Sequence, residues 1–131
     1  MKDSEIFPFC HKKGIRLPNG WRHCCNAVRF HNREETERHF SYKSKIAFEL
    51  MKRGQTVFTE IELVNWNGSE RPVADIFWLD ENIIVELESQ ETAEKTALKM
   101  KQYGNYGLFV FDISKFSVEE ILAKIGLSGA K

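Results

Sequence analysis

Four segments of the chain have the hydrophobic pattern of β-strands. The first alternates between two faces, the next two are hydrophobic segments with carboxylates set among the apolar residues, and the fourth is a continuous apolar run, which is typical of a strand buried on both faces. In order, they are QTVFTEIELV (55–64), PVADIFWL (72–79), NIIVELE (82–88) and GLFVFDI (107–113). Only Asp80 and Glu81 separate the second segment from the third, so this pair predicts a hairpin.

Three segments outside the strands have the pattern of helices. They are REETERHFSYKSKIAFELMKRG (33–54), ETAEKTALKMKQY (91–103) and SVEEILAKIG (117–126). In the last of these, Ser117 and Glu120 are spaced to form a capping box. The order is helix, three strands, helix, strand, helix. This order predicts an α/β fold with a mixed central β-sheet of about four strands that is flanked by helices.

Residues 1–32 show neither period. Pro8, Gly14 and Gly20 interrupt this segment, so we expect an irregular N-terminal extension. Residues 33–131 are predicted to form the α/β domain. Because 131 residues are enough for one hydrophobic core and few for two, the chain is predicted to be a single domain overall.

The composition indicates a folded chain that is neither disordered nor embedded in a membrane. Hydrophobic residues make up 42% of the chain and charged residues 29%. No run is long enough to span a bilayer, and the N-terminus carries charges where a signal peptide would be apolar, so we expect a cytoplasmic location. The 19 basic and 19 acidic residues give a formal net charge of zero, so any nucleic-acid contact depends on a local basic surface.

Cysteine and histidine residues gather near the N-terminus and raise the question of a zinc site, because zinc prefers thiolate and imidazole ligands. There is no C-x-x-C pair, however, and adjacent cysteines rarely bind one ion together. The odd number of cysteines also argues against a disulfide framework. We therefore expect reduced thiols and do not predict a zinc site. The residues concerned are Cys10, Cys24, Cys25, His11, His23 and His31.

Three carboxylates stand among the apolar residues of the predicted hairpin. Glu86 and Glu88 share one face of their strand, and the hairpin can bring Asp75 across from Glu86. Like charges repel, and burying them unpaired is costly. A divalent cation would remove that cost, and oxygen-only ligands suit Mg²⁺ or Mn²⁺. In the competing interpretation, Asp75 bonds to a turn and the two glutamates form the solvent face of an edge strand.

The element order and these carboxylates resemble the core of the PD-(D/E)XK nuclease superfamily, over roughly residues 38–113. The pieces HFSYK, TEIEL, RPVAD and IIVELESQ are most similar to the CoiA-like, competence-associated nuclease group. The resemblance implies a restriction-endonuclease-like core with α-β-β-β-α-β order and a metal-dependent nuclease that hydrolyses phosphodiester bonds in DNA. It also implies that Mg²⁺ or Mn²⁺ is bound by Asp75, Glu86 and the backbone carbonyl of Leu87.

The sequence departs from the superfamily at Glu88, where lysine is the most common residue. Some restriction endonucleases of the superfamily carry glutamate there and remain active. Elsewhere the role of the lysine moves to the following helix, where Lys95 or Lys99 could supply it. Glu49 is a candidate for the glutamate that the superfamily often has in its first helix. The catalytic residues implied are Asp75, Glu86, Glu88 and Lys99.

The resemblance further implies that basic and polar residues hold the nucleic acid. Gln102 and Tyr106 have the spacing of the Q-x-x-x-Y element of RecB-like nucleases, and His39 could contact a phosphate or pack at the start of its helix. The nucleic-acid-binding candidates are His39, Lys43, Arg71, Lys95, Gln102 and Tyr106.

Purely structural interpretations compete with several of these assignments. The first strand would place Val57, Thr59, Ile61 and Leu63 on one face, leaving Glu60 and Glu62 on a solvated face, although Glu60 could lie beside the metal. Lys95, Lys99 and Lys101 have the pattern of a solvated helix face. Trp21, Trp66 and Trp78 could stack bases, but tryptophans among apolar neighbours are usually core residues.

Two classes of function remain open at this point. The first is the nuclease, and the second is a nuclease-fold module with an altered site that binds nucleic acid or a protein without cleaving. Glu88 favours the second class. Asp75 and Glu86 favour the first, on the argument that an inactive site has no reason to keep uncompensated charges together. A small chain has limited surface to hold duplex DNA, so size and family habit also suggest a homodimer.

Overall fold

The computed structural model describes residues 1–32, 34–63, 72–89, 92–104 and 106–127. These residues form a mixed α/β structure with short 3₁₀ turns at Trp21–His23 and Leu79–Glu81. The helices are α1 (Asp3–Lys13), α2 (Glu37–Lys52), α3 (Ala93–Tyr103) and α4 (Val118–Lys124). The strands are β1 (Val57–Glu62), β2 (Val73–Trp78), β3 (Ile83–Glu88) and β4 (Gly107–Asp112).

The four strands form one mixed sheet in the order β1-β2-β3-β4. The first three strands are antiparallel neighbours, whereas β4 lies parallel to β3 after the crossover through α3. Asn82 completes the tight connection between β2 and β3 with a left-handed backbone, at φ 56°. The predicted hairpin and the predicted mixed sheet flanked by helices are both confirmed.

The sheet has a hydrophobic core on each face. Helices α2 and α4 cover one face, where apolar side chains of β3 and β4 pack against them; α1 and the end of α3 cover the other. The first core includes Ile46, Leu50, Val85, Phe111 and Ile121. The second includes Ile6, Trp21, Phe58, Phe77 and Tyr103.

The N-terminal segment is part of this second core, and the prediction of an irregular extension was wrong. Helix α1 buries Ile6 and Cys10, which lie four residues apart on one helix face. Further along, the backbone pairs with β1: Asn26 donates to the carbonyl of Val57 (2.6 Å). The segment therefore covers one face of the sheet and also its outer edge at β1, where strand backbone would otherwise be unpaired.

The prediction for the faces of β1 was also wrong from Glu60 onward. Glu60 has a left-handed backbone, at φ 51°, which is uncommon for a residue other than glycine. Phe58 and Ile61 consequently pack in the same core, although strict alternation would separate them. The side chain of Glu60 instead contacts Lys43 of α2, on the opposite face of the sheet.

Other predictions concern the cysteines, the tryptophans and the membrane. Cys10, Cys24 and Cys25 are free thiols. Trp21 and Trp78 are buried, as predicted for core residues, while Trp66 lies outside the described residues. In the part of the chain that the structure describes, no helix has the length and apolar character needed to cross a bilayer.

Candidate active site

The site lies where β2 and β3 part. Their paired register ends at the pair Ile76 and Val85. Beyond this pair, Asp75 precedes Ile76 on β2 and Glu86 follows Val85 on β3, and both are carboxylates. The backbone N–H of Asp75 donates to Oε2 of Glu86 (2.7 Å), and the N–H of Leu87 donates to Oδ2 of Asp75 (2.8 Å). The two carboxylates thus satisfy backbone donors that lose their ladder partners where the strands separate.

Glu86 is the most buried acid of the group, with 3% of its surface exposed. Burial raises the pKa of Glu86 to about 7, and the negative charge of Asp75 adds to this rise. Lys99, on α3, opposes the rise because its Nζ lies 2.6 Å from Oε1 of Glu86. The same Nζ lies 2.7 Å from Oε2 of Glu88, so one ammonium group serves two carboxylates.

The pKa of Lys99 lies above its ordinary value. Burial alone would lower that pKa, but the charges and hydrogen bonds of Glu86 and Glu88 more than offset burial. Lys99 is therefore fully protonated at neutral pH.

His39, in the first turn of α2, contacts the other side of Asp75. Its Nε2 donates to the backbone carbonyl of Leu87 (3.1 Å) and lies 3.5 Å from Oδ2 of Asp75, while its Nδ1 bonds to the carboxylate of Glu35. The hydrogen bond with Asp75 is the main reason that the pKa of His39 rises to about 9, against the opposing effect of burial. His39 is therefore an imidazolium cation at neutral pH.

A second, deeper cluster lies behind His39. Lys43 is fully buried, and its Nζ lies 2.9 Å from Glu35 and 3.0 Å from Glu60. His31 reaches the second oxygen of Glu60 with its Nδ1, at 2.8 Å. The buried ammonium thus has two carboxylate partners, which is the condition under which a buried charge is tolerated.

The pKa values of the two carboxylates of the deeper cluster are shifted in opposite directions. Burial would raise the pKa of Glu35, but hydrogen bonds from the His31 amide, Lys43 and His39 hold that pKa below its usual value. Burial dominates at Glu60 and raises its pKa in spite of the contact with Lys43. Glu35 is therefore the stronger acid of the pair that flanks Lys43.

The carboxylates open onto a cavity of about 400 Å³. Six of the candidate residues line it: His39, Asp75, Glu86, Leu87, Glu88 and Lys99. Of the two lysines that could replace the missing one at position 88, it is Lys99 that reaches the carboxylates.

The remaining candidates lie elsewhere. Lys43 is buried behind Glu35, and neither Lys95, which is exposed on α3, nor Gln102 is part of the described lining of the cavity. Tyr106 is a core residue that packs edge-on against Phe77, with ring centroids 5.6 Å apart, and burial raises its pKa to about 12. Arg71 lies outside the described residues.

Sequence reasoning missed or misplaced three glutamates. The side chain of Glu60 is 6% exposed, so the prediction of a solvated strand face was wrong for it. Glu49 lies near the C-terminal end of α2 and pairs with Lys52 (3.1 Å), away from the cavity. Glu35 lines the cavity instead. Glu35 lies just before Thr36, which caps α2, and its spacing of four residues from His39 and eight from Lys43 is the periodic signal that could have found it.

The donor atoms present suit a hard divalent cation. Asp75, Glu86 and the Leu87 carbonyl form an oxygen-only set, which is the kind that Mg²⁺ and Mn²⁺ prefer. Among the described residues, no group of three His, Cys, Asp or Glu side chains could hold a metal ion, so the carbonyl is needed to complete the set. The donors fit these ions provided that His39 leaves the Leu87 carbonyl.

Comparison of the chain with protein-family models, with curated proteins and with solved structures finds no match. The resemblance to the nuclease superfamily therefore rests on the quoted residues and on the order of the elements.

Proposed function

We propose that the protein is a metal-dependent nuclease that hydrolyses phosphodiester bonds in DNA. The observation that carries the proposal is the meeting of Asp75, Glu86 and Lys99 in one cavity, at the point where β2 and β3 part. A lysine beside paired carboxylates is what the resemblance requires, and here α3 supplies the lysine that is missing at position 88.

The order of the elements also supports the proposal. From α2 to β4 the chain runs helix, three strands, helix, strand, and β4 lies parallel to β3. This is the α-β-β-β-α-β order of the restriction-endonuclease-like core. The carboxylates stand on the two central strands of that sheet, which is where the resemblance places the metal ligands.

In the proposed mechanism, Asp75, Glu86 and the Leu87 carbonyl would hold Mg²⁺ or Mn²⁺. The bound ion would polarise the scissile phosphate and lower the pKa of a water molecule. Lys99, which Glu86 and Glu88 hold in place, presents an ammonium group to the phosphate or to the attacking water. Once displaced from the Leu87 carbonyl, His39 can donate a hydrogen bond from Nε2 to a phosphate oxygen.

The proposal is tested by incubating labelled single-stranded, duplex and branched DNA with the protein and Mg²⁺ or Mn²⁺. Asp75→Asn and Glu86→Gln are the informative variants, since each keeps an oxygen that can accept the backbone hydrogen bond. Glu119→Gln makes the same chemical change on the exposed surface of α4 and serves as the control. We expect metal-dependent cutting that falls by more than about a hundredfold in the two site variants only.

Cutting that persists in both site variants, or that needs no metal, would overturn the proposal. The same experiment tests the second candidate function, a module that binds without cleaving. One observation favours that candidate: Lys99, His39 and backbone N–H groups already compensate the carboxylates of the site. Binding of DNA without cleavage under any metal condition would support it. A homodimer stays a prediction from size and family habit.

A further inference from the structure

Phe30 is a large aromatic side chain that is held in place and yet exposed. It precedes His31 and Asn32, which line the cavity, and 67% of its surface is accessible to solvent. Its ring stacks on that of Phe40, with centroids 4.4 Å apart and planes inclined by 19°. An isolated exposed Phe is ordinary on a protein surface, but one that is stacked at the rim of a polar cavity is not.

The stack extends inward as well. Phe40 follows His39 in the first turn of α2, and Nζ of the buried Lys43 lies 5.5 Å from the centroid of the Phe40 ring. The order from the interior outward is therefore the Lys43 ammonium, the Phe40 ring and the Phe30 ring. The Phe30 ring packs on this stack, and its accessible surface offers an apolar platform.

We infer that Phe30 stacks on an unpaired DNA base next to the phosphate bound in the cavity. This inference rests on the proposed function and adds a preference for single-stranded DNA or for a frayed end. Aromatic side chains recognise unpaired bases in this way whatever their sequence, because every base has a π face.

The residues around the platform favour a nucleic-acid base as its ligand over the apolar surface of a protein partner. Arg29, His31 and Asn32, which flank Phe30 along the chain, are all exposed. A single ring within a polar rim matches a flat ligand with polar edges, whereas an apolar protein partner would need a wider patch. Arg29 adds a positive charge one residue before Phe30, and one N–H group of its guanidinium donates to Sγ of Cys24 (3.1 Å), which leaves its other N–H groups for the nucleic-acid backbone.

The test measures binding in Ca²⁺, a hard cation with the same preference for oxygen ligands, under conditions first checked to leave the probes uncut. The probes are a 12-nucleotide single strand that carries 2-aminopurine and a blunt duplex that carries 2-aminopurine within a base pair. Phe30→Ala removes the platform, Phe30→Leu keeps an apolar side chain without the ring, and Phe30→Trp restores an aromatic ring. Phe48→Ala is the control, because Phe48 lies on α2, is 59% exposed and does not line the cavity.

We expect the wild-type protein to quench 2-aminopurine in the single strand. Phe30→Ala and Phe30→Leu should weaken single-strand binding about tenfold and abolish the quenching, while Phe30→Trp and Phe48→Ala should retain both. Duplex binding should be the same in all variants. The inference is overturned if the wild-type protein does not quench the single strand, if Phe30→Leu binds it as tightly as wild type, or if duplex binding falls equally.

The inference and the proposed function can fail separately. Loss of quenching in Phe30→Leu without metal-dependent cleavage would leave a single-strand-binding protein and overturn the nuclease. Cleavage that depends on Asp75 and Glu86, together with unchanged binding in Phe30→Leu, would leave the nuclease and overturn the stacking role.

Discussion

Lys99 is the residue on which the charge balance of the candidate site depends most directly. Its ammonium lies within 2.7 Å of both Glu86 and Glu88, and only 3% of the surface of Glu86 is exposed. A carboxylate that is buried and then deprived of its cation must either take up a proton or remain charged in a poorly solvated position. The consequences of losing Lys99 are therefore felt in stability as well as in any reaction.

Replacing Lys99 by methionine should lower the free energy of unfolding by about 3 kcal/mol at pH 7. The side chain keeps its apolar length, so the loss reports the charge. Urea denaturation of wild type, Lys99→Met and Lys95→Met measures the effect, with the exposed Lys95 on the same helix as the control, for which we expect a change within about 0.5 kcal/mol. Equal losses in the two variants would show that Lys99 is not the partner that Glu86 requires.

Cys25 provides a prediction about pH. Burial raises the pKa of the Cys25 thiol to about 11, and the charge of Asp3 adds to the rise. Only the thiolate reacts with iodoacetamide, so at pH 8 Cys25 in the folded protein should be alkylated about two hundredfold more slowly than an ordinary cysteine of pKa about 8.5. The rate should keep rising about tenfold per pH unit from pH 7 to pH 10.

The measurement uses mass spectrometry of the modified peptide in a Cys24→Ala variant, which leaves Cys25 as the sole thiol of that peptide. The same variant unfolded in urea supplies the reference, and its rate should level off above about pH 8.5. A folded-state rate that levels off at the same pH would contradict the raised pKa, whereas steric protection alone would lower the rate without moving that pH.

Among the elements, α1 is the one whose role differs most from expectation. Ile6 is fully buried and Phe7, the next residue, is 64% exposed, so the helix has a sharply defined inner side. Ile6→Ala should therefore lower the free energy of unfolding by about 3 kcal/mol, and Phe7→Ala should change it by less than about 0.5 kcal/mol. Denaturation in urea distinguishes the two. A small change in both variants would mean that α1 is an appendage rather than a part of the core.

The helices and strands that were predicted correctly have a clear hydrophobic pattern in the sequence. Those that were missed depend on contacts between residues that are distant along the chain. Residues 83–88 and 107–112 form strands, as their hydrophobic patterns predict. Burial of the second on both faces was predicted too fully, because β4 is an edge strand in which Gly107 is exposed and residues 108–110 are half-buried. Helix α1 escaped detection because it buries only Ile6 and Cys10 and contains Pro8, which normally ends a helix. Two buried positions and a proline are too weak a signal without the sheet on which the helix packs.

At the scale of the whole molecule, the candidate site was partly predictable. Asp75 and Glu86 stand on adjacent predicted strands, and a hairpin must bring them together, so their proximity followed from the sequence. The burial of the Glu60 side chain did not, because its partners Lys43 and His31 lie 17 and 29 residues away along the chain. Buried ionic clusters of this kind are specified by tertiary contacts that no local pattern encodes.

The hydrogen bonds at the parting of β2 and β3 also bear on how such a chain would change during evolution. Asp75 and Glu86 accept bonds from the backbone of each other's strand, so their loss would leave two amides of the central sheet without partners. A descendant without the proposed nuclease activity would still be selected to keep both acids, because they satisfy backbone donors of the sheet. Persistence of these two carboxylates in a relative, and of the Lys99 ammonium that neutralises Glu86, would then be evidence of ancestry and folding rather than of activity.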